Sequence, residues 1–382
     1  MKRINDSARA RGDGLRIGVD ARLMGDRLTG IAHYVSELSR ELAELLPGAE
    51  FFLYAPWSIR MPVASPRWHA KIDPWSKTFE KGRAFWMTKH AWMLIRTRAM
   101  CLRDGINVFW ATDAPFIPYL PKNVRIVAMV YDVRYRVAPE TQRKSTLYVR
   151  RLMEKRHARA DALIAISQGT ADKLNQFLGY RAAAIVRPAA SAAFYRRDEN
   201  QIAQVLLRYG IHVPYLLSIA NADATPHKNT HLLINVFREL TREGPLKKHS
   251  LVLGGWKSEQ LLENFRCESG EQDLNVVALG YVEGADLPAL YSGADVFVFP
   301  SLYEGFGMPV LEARACQTRI VTTDATELRE PGGSRAIYIT PDAEGIRKGI
   351  LAALAAERPS KPDLLWTWKS SAKILVEAFD PQ

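Results

Sequence analysis

Short apolar runs recur along the chain and alternate with segments whose apolar positions have helical spacing. Eleven such runs occur, among them LRIGVD at 15, YLLSIA at 215 and VFVFPS at 296. The segments between them, such as HYVSELSRELAELL at 33 and THLLINVFREL at 230, repeat apolar residues every three or four positions, as amphipathic helices do. Continuous apolar strands alternating with helices predict parallel sheets that are covered on both faces. The predicted class is α/β.

The alternation of strands and helices breaks once, near the middle of the chain. After AIVRP at 184 the chain continues as AASAAFYRRDENQ, which is first small and then polar. Eleven strands are also more than one twisted sheet usually holds. We therefore expect two doubly wound domains of similar size, at residues 15–190 and 200–363. Residues 1–14 carry charge with too little apolar surface to offset the entropy of ordering, and they are expected to be disordered.

Composition narrows the range of partners and environments. The chain has 382 residues, 47% of them apolar and 24% charged, and a formal net charge of +11, which favours anionic partners. No apolar run approaches the roughly 18 residues of a membrane span, and the basic start lacks the apolar centre of a signal peptide. The sequence thus predicts a cytoplasmic protein. Its three cysteines lie far apart without C-x-x-C spacing, which argues against a disulfide framework and against a zinc site.

The stretch YEGFGMPVLEA, residues 303–313, is the first candidate site. It follows the apolar strand VFVFPS, so it lies at the carboxyl edge of a parallel sheet, where ligands bind. Its glycines let backbone approach a ligand, and Pro309 suits the start of a helix, whose free N–H groups attract phosphate. Glu312, expected in the first turn, could accept hydrogen bonds from a ribose, and Glu304 could contact a sugar. The alternative is that Glu312 only complements the helix dipole and Glu304 is solvated.

The context of this stretch resembles a known signature. ADVFVFPSLYEGFGMPVLEARACQTRIVTTD is similar to the signature of the retaining glycosyltransferases of family 4, which have the GT-B fold. The resemblance extends over most of the chain, in the family's order. It includes DARLMGDRLTGIAHYVSELSREL at 20, DALIAISQGTADKL at 161, PHKNTHLLINVF at 226 and LGYVEGADLPALYSGAD at 279.

The resemblance implies a fold and an activity. The fold would be GT-B, with two facing Rossmann-like domains, the second holding most of the nucleotide. A tryptophan-containing helix at about 364–382 would return to complete the first domain. The activity would be transfer of a sugar, with retained configuration, from a nucleotide-sugar to a saccharide or lipid-linked saccharide in surface polysaccharide synthesis. Resemblance to bacterial enzymes makes mannose from GDP-mannose the first candidate donor and a UDP-linked sugar the second.

The resemblance also implies roles for single residues. Glu304 would contact the hydroxyls of the transferred sugar, and Glu312 would hold the ribose. Lys228 would neutralise the pyrophosphate as the leaving group departs, a role that suits an ammonium group. Backbone contacts with the donor are implied for Gly30, Phe306, Gly307 and Met308.

Some positions depart from the family's pattern. His227 stands where the family has an arginine before its lysine, and an imidazole supplies only part of a charge at neutral pH. Tyr131 replaces a histidine near the acceptor, where its hydroxyl could donate a hydrogen bond. Asp132, the third implied catalytic residue, orients the acceptor or only caps a turn. Gln317 replaces a glycine after the signature, and we expect a locally different turn there.

The sequence predicts no metal or other cofactor. It contains no D-x-D, the paired aspartates with which many enzymes hold a metal-chelated nucleotide-sugar. A different class remains open, namely a glycosyltransferase-like protein that has lost activity and serves as a binding or scaffold subunit. A dinucleotide-dependent dehydrogenase is less consistent, because LRIGVDARLMGDRLTG has no G-x-G-x-x-G.

Two basic segments bear on the choice of an anionic partner. Residues 77–103 combine seven Lys/Arg with Phe79, Phe85, Trp86 and Trp92, and residues 143–159 are also strongly basic. One interpretation is docking on an anionic membrane, which would make the protein peripheral at the inner face of the cytoplasmic membrane. The other is a pair of amphipathic helices with core aromatics and solvated charges. No nucleic-acid-binding motif accompanies the charge, so no nucleic-acid partner is predicted.

Overall fold

The computed structural model describes residues 12–25, 30–73, 85–142, 144–219, 226–271, 274–361, 363 and 365–380. The chain divides into two compact units. The first comprises Met1–Val133, Ser145–Pro188 and Trp366–Gln382, and the second comprises Arg134–Lys144 and Ala189–Leu365. Of the segment expected to be disordered, residues 1–11 lie outside the described residues, and Gly12 to Gly14 form a turn closed by Leu15 N–H on the Gly12 carbonyl at 2.9 Å.

The first unit is built on a parallel sheet in the order β3-β2-β1-β4-β5-β6-β7. Its strands are β1 Arg16–Asp20, β2 Glu50–Ala55, β3 Trp68–Ile72, β4 Val108–Ala111, β5 Arg125–Val130, β6 Ala162–Ala165 and β7 Ala184–Ile185. Its helices are α1 Gly30–Leu45, α2 Phe85–Arg103, α4 Lys144–Met153, α5 Gln168–Leu178 and α13 Trp368–Phe379, with 3₁₀ turns at Ala114–Phe116 and Glu154–Arg159. The strand order reverses between β1 and β4, as in a Rossmann fold.

The second unit repeats this arrangement with a parallel sheet in the order β10-β9-β8-β11-β12-β13. Its strands are β8 Tyr215–Ile219, β9 Ser250–Gly254, β10 Val276–Ala278, β11 Val296–Phe299, β12 Arg319–Thr323 and β13 Ala336–Ile339. Its helices are α3 Arg134–Val137, α6 Glu199–Arg208, α7 Thr230–Glu243, α8 Ser258–Ser269, α9 Leu287–Gly293, α10 Met308–Ala315, α11 Thr326–Gly332 and α12 Ala343–Ala355, with 3₁₀ turns at Pro139–Thr141, Pro226–Lys228 and Gly333–Arg335. Here the order reverses between β8 and β11.

Both faces of the second sheet are covered, which explains why its strands read as continuous apolar runs. Leu216 and Leu217 are successive residues of β8 and are fully buried in two different core clusters. The Leu217 cluster includes apolar side chains of α6, α9 and α10, whereas the Leu216 cluster includes those of α7, α8 and α12. A strand buried on both faces cannot alternate apolar and polar residues.

The C-terminal helix packs in the first unit. Leu375 and Phe379 of α13 are fully buried, and the Phe379 ring lies 6.1 Å from that of Trp110 in β4. Arg125 of β5 donates from Nε to the Ala378 carbonyl at 2.8 Å. The helix begins at Trp368, with Thr367 as its N-cap.

The unit boundaries differ from the predicted 15–190 and 200–363 mainly in one segment. Arg134–Lys144, which we assigned to the first domain, groups with the second unit. One contact of this segment with the rest of the second unit is polar, since Arg134 Nη1 lies 3.0 Å from Nε2 of His227.

Candidate functional site

The candidate site of the second unit lies where its strand order reverses. Lys228 follows β8 and Glu304 follows β11, and these two strands are neighbours at the switch point. In open parallel sheets this is the place where ligands bind. The loop after β11 is tied to the turn that carries Lys228, because the His227 carbonyl accepts from Leu302 N–H at 2.7 Å and from Ser301 Oγ at 3.1 Å.

Lys228 and Glu304 form a direct ion pair. Lys228 Nζ lies 2.5 Å from Glu304 Oε1, and the two side chains are only 21% and 13% exposed. The ammonium group also lies over the Phe299 ring, 5.2 Å from its centroid. Poor access of water strengthens such a charge-assisted bond. An anion that binds Lys228 must therefore compete with Glu304.

Glu312 is held by a buried tyrosine. Tyr291, fully buried in α9, donates from its hydroxyl to Glu312 Oε2 at 2.9 Å. Burial raises the pKa of Glu312 to about 7, although the Tyr291 hydrogen bond acts in the opposite direction. The carboxyl group thus exists in both protonation states near neutral pH, which is unusual for a glutamate.

The helix after the loop begins one residue earlier than we predicted. Helix α10 starts at Met308, so Pro309 is its second residue and Glu312 its fifth, with no acidic residue in the first turn. The predicted first-turn position of Glu312 is wrong. The alternative that Glu312 only complements the helix dipole is therefore not supported, because the dipole effect fades beyond the first turn.

Gly307 is required by the turn that leads into this helix. It has φ of 93°, and a Cβ atom there would lie 2.5 Å from Leu328 Cδ2. The loop therefore passes close to helix α11 and presents the backbone of Phe306, Gly307 and Met308 at the start of α10. Gln317, just after α10, has φ of 59°, which lies in the left-handed region that a glycine favours.

His227 is buried, with 5% of its surface exposed, and Arg134 Nη1 lies 3.0 Å from its Nε2. A guanidinium group only donates hydrogen bonds, so Nε2 accepts and the imidazole is neutral, with its proton on Nδ1. The partial positive charge that we expected from His227 is not supplied by this arrangement. Sequence analysis missed Arg134, because the two residues are 93 positions apart and no local pattern pairs them.

The acceptor-side candidates lie in the first unit. Tyr131 follows β5, its ring makes an edge contact with Tyr34 at 5.7 Å, and its buried hydroxyl has no hydrogen-bond partner among the described residues. Burial raises the pKa of Tyr131 well above its ordinary value. Asp132 is the next residue and is partly buried. Gly30 opens α1 after β1, and a Cβ atom there would meet nothing within 4 Å, so packing does not demand a glycine.

The first basic segment is partly outside the described structure. This applies to residues 77–84 and to the side chains of Phe85 and Trp86. Trp92 is buried in α2 and donates from Nε1 to Asp73 Oδ2 at 2.9 Å, so this aromatic belongs to the core. In the part of the chain that the structure describes, no helix is long and apolar enough to cross a bilayer. No cluster of three metal-ligating side chains occurs there either.

Two family profiles match the chain. The profile described as Glycosyltransferase Family 4 matches residues 28–187, and that described as Glycosyl transferases group 1 matches residues 213–356. The chain is also similar to the O-antigen chain mannosyltransferase B of Escherichia coli. The two are 28% identical over 342 residues, which is 86% of this chain and 87% of that protein.

Solved structures resemble the fold over nearly the whole chain. A sucrose-phosphate synthase from Thermosynechococcus elongatus superposes with a TM-score of 0.69 at 18% identity, covering 96% of this chain and 94% of that one. The Anabaena protein Alr3699/HepE, in complex with UDP-glucose, superposes with a TM-score of 0.64 at 16% identity, covering 96% and 95%. These likenesses confirm the predicted fold class.

Proposed function

Because the chain belongs to the family 4 glycosyltransferases and has their GT-B fold, we propose that it transfers a sugar from a nucleotide-sugar to a saccharide acceptor, with retained configuration and without a metal ion. The observation that carries the proposal is the Lys228–Glu304 ion pair at the switch point of the second sheet. It brings a phosphate-binding cation and a carboxylate together where ligands of such sheets bind.

In this proposal the site residues divide the donor between them. Ionised Glu312 accepts hydrogen bonds from the ribose hydroxyls, Lys228 binds the diphosphate and Glu304 binds hydroxyls of the sugar. The acceptor oxygen bonds to the anomeric carbon as the bond from that carbon to the phosphate oxygen breaks. The electron pair stays on the phosphate oxygen, which takes the acceptor's proton, and Lys228 stabilises the developing charge. Tyr131 and Asp132 orient the acceptor.

We favour mannose from GDP-mannose as the donor and a saccharide or lipid-linked saccharide of a surface polysaccharide as the acceptor. Support comes from the relative named as an O-antigen chain mannosyltransferase, which matches over most of its length. A UDP-linked sugar is the second candidate, supported by the UDP-glucose complex of a protein with the same fold.

Donor hydrolysis without acceptor tests the proposal. We expect the protein to release mannose from GDP-mannose, or a sugar from a UDP-sugar, and Glu304→Gln to lower this rate by about a hundredfold. Glu283→Gln is the matched control, because Glu283 is an exposed glutamate of the same unit. Equal rates for wild type and Glu304→Gln would remove Glu304 from the mechanism. Binding without turnover of any donor would instead indicate a scaffold subunit.

We further propose that the protein works in the cytoplasm at the inner face of the membrane, through a surface of the first unit. This basic aromatic surface consists of Ile95, Arg98, Tyr119 and Arg159, with the buried Arg156 beside the Tyr119 ring. Ile95 is 67% and Tyr119 51% exposed. The guanidinium groups of Arg156 and Arg159 lie 4.2 and 4.5 Å from the Tyr119 ring centroid, and Arg98 donates to the Tyr119 carbonyl. Exposed apolar groups among cations favour an anionic membrane.

Co-sedimentation with vesicles of phosphatidylglycerol tests this membrane surface. Ile95→Ser/Tyr119→Ser should lower the bound fraction several-fold, since both substitutions remove exposed apolar area. Leu207→Ser should not, although Leu207 of the second unit is 84% exposed. Unchanged sedimentation of the double variant would exclude this surface.

A further inference from the structure

Arg134 lies beside the candidate donor site although it belongs to the N-terminal half of the sequence. It opens helix α3, and the segment Arg134–Lys144 groups with the second unit. Its Nη1 lies 3.0 Å from His227 Nε2. His227 is the neighbour of Lys228, and its carbonyl binds the loop that carries Glu304. The Arg134 guanidinium group thus lies next to the turn that carries Lys228, although the two residues are far apart in sequence.

The short segment that carries Arg134 also holds its side chain. With the Gln142 amide in the orientation that satisfies its hydrogen bonds, its oxygen accepts from Arg134 Nη2 at 3.2 Å and from Nε at 2.5 Å. The segment is closed by bonds of its own, since Ala138 N–H donates to the Arg134 carbonyl at 2.8 Å and Gln142 N–H to the Pro139 carbonyl at 3.1 Å. The contacts of the guanidinium group thus include the Gln142 amide and the His227 imidazole.

The charges of the site explain what this guanidinium could do. A diphosphate carries more than one negative charge, but the ammonium of Lys228 is already matched by the carboxylate of Glu304 at 2.5 Å. His227 is neutral in this geometry. An arginine keeps its charge at any physiological pH, and its forked N–H groups fit two phosphate oxygens at once.

We propose that Arg134 is a donor-binding residue that supplies the second cation of the diphosphate site, held in place by His227 and Gln142. The inference rests on the proposed function, because it assumes a nucleoside-diphosphate donor. It changes the role of His227 from a phosphate ligand to a residue that positions Arg134.

Calorimetric titration with GDP, UDP and ADP tests this assignment. For the diphosphate that binds the wild type, Arg134→Gln should raise the dissociation constant about ten- to a hundredfold, the range for hydrogen bonds to charged groups. Affinity for the matching nucleoside, measured by NMR titration, should stay unchanged. Arg136→Gln is the control, because Arg136 is an exposed arginine of the same short helix.

A second variant restores the charge from the other side of the contact. Arg134→Gln/His227→Arg should recover at least part of the lost diphosphate affinity. If Arg134→Gln alone folds poorly, the affinity of the double variant compared with wild type tests the role of Arg134 instead. Equal diphosphate affinity of wild type and Arg134→Gln would overturn the role of Arg134. A folded double variant that recovers no diphosphate affinity would do the same. Neither result would affect the donor proposal. A wild type that binds none of the three diphosphates would overturn the donor proposal and this inference together.

Discussion

Replacing Glu312 with glutamine should stabilise the protein at pH 8 and weaken the binding of the proposed nucleotide-sugar donor. Burial raises the pKa of this carboxyl group from 4.5 to about 7. The unfolded chain therefore loses the proton at a lower pH than the folded protein does. The stability that protonated Glu312 contributes is complete below pH 4.5 and is lost as the pH rises through about 7.

The size of this effect follows from the shift in pKa. Each unit corresponds to about 1.4 kcal/mol, so ionised Glu312 lowers the free energy of unfolding by up to about 3 kcal/mol at pH 8. Because the side chain is partly exposed, water screens some of this penalty, and about 2 kcal/mol is the expected difference between pH 5 and pH 8. A glutamine carries no charge to bury and can still accept the Tyr291 hydrogen bond.

Urea unfolding at the two pH values measures the difference. The advantage of Glu312→Gln over wild type should grow by about 2 kcal/mol from pH 5 to pH 8. Glu283→Gln, at an exposed position of the same unit, should show no such growth. An advantage of Glu312→Gln that is equal at both pH values would refute the reasoning. The same variant should bind donor about tenfold more weakly, because an amide is a poorer acceptor for ribose hydroxyls than a carboxylate.

Four further outcomes follow from the site. Donor affinity should increase between pH 6 and pH 8 as Glu312 ionises, and a decrease in calorimetric titrations would contradict this. Gly307→Ala should lower the free energy of unfolding by about 1–3 kcal/mol through its positive φ and its clash with Leu328, whereas Gly284→Ala, with open space around it, should not. Gln317→Gly should raise that free energy by up to about 1 kcal/mol by relieving a left-handed backbone. Glycosyl transfer should persist in EDTA, and loss of activity that magnesium restores would show a metal requirement.

The strands were predictable where both faces of a sheet are covered. Each of the eleven apolar runs contains or overlaps a strand, because continuous apolar sequence is what such burial requires. Two strands were missed among the described residues. In the edge strand β3, WHAKI, only Trp68 is buried and the other residues are half-buried or exposed, and β7 has only two residues. Neither leaves a continuous apolar run.

The candidate site was predictable only where its residues share a local motif. Glu304 and Glu312 stand out because a glycine-rich turn between a strand and a helix lies around them. The contact of Lys228 with Glu304 joins residues 76 positions apart, and that of Arg134 with His227 joins residues 93 apart. Such pairings follow from the order of the strands in the sheet, which the spacing of apolar residues does not encode.

The path of the chain has a consequence for recombination between related genes. The polypeptide passes from one unit to the other four times, after residues 133, 144, 188 and 365. A crossover near residue 188 would exchange the N-terminal half as one piece, and Arg134 would travel with it, away from the His227 against which it packs. Chimaeras intended to change only the acceptor would then carry a foreign residue at position 134 in contact with His227. Grafts that keep Arg134–Lys144 with its original second half would not.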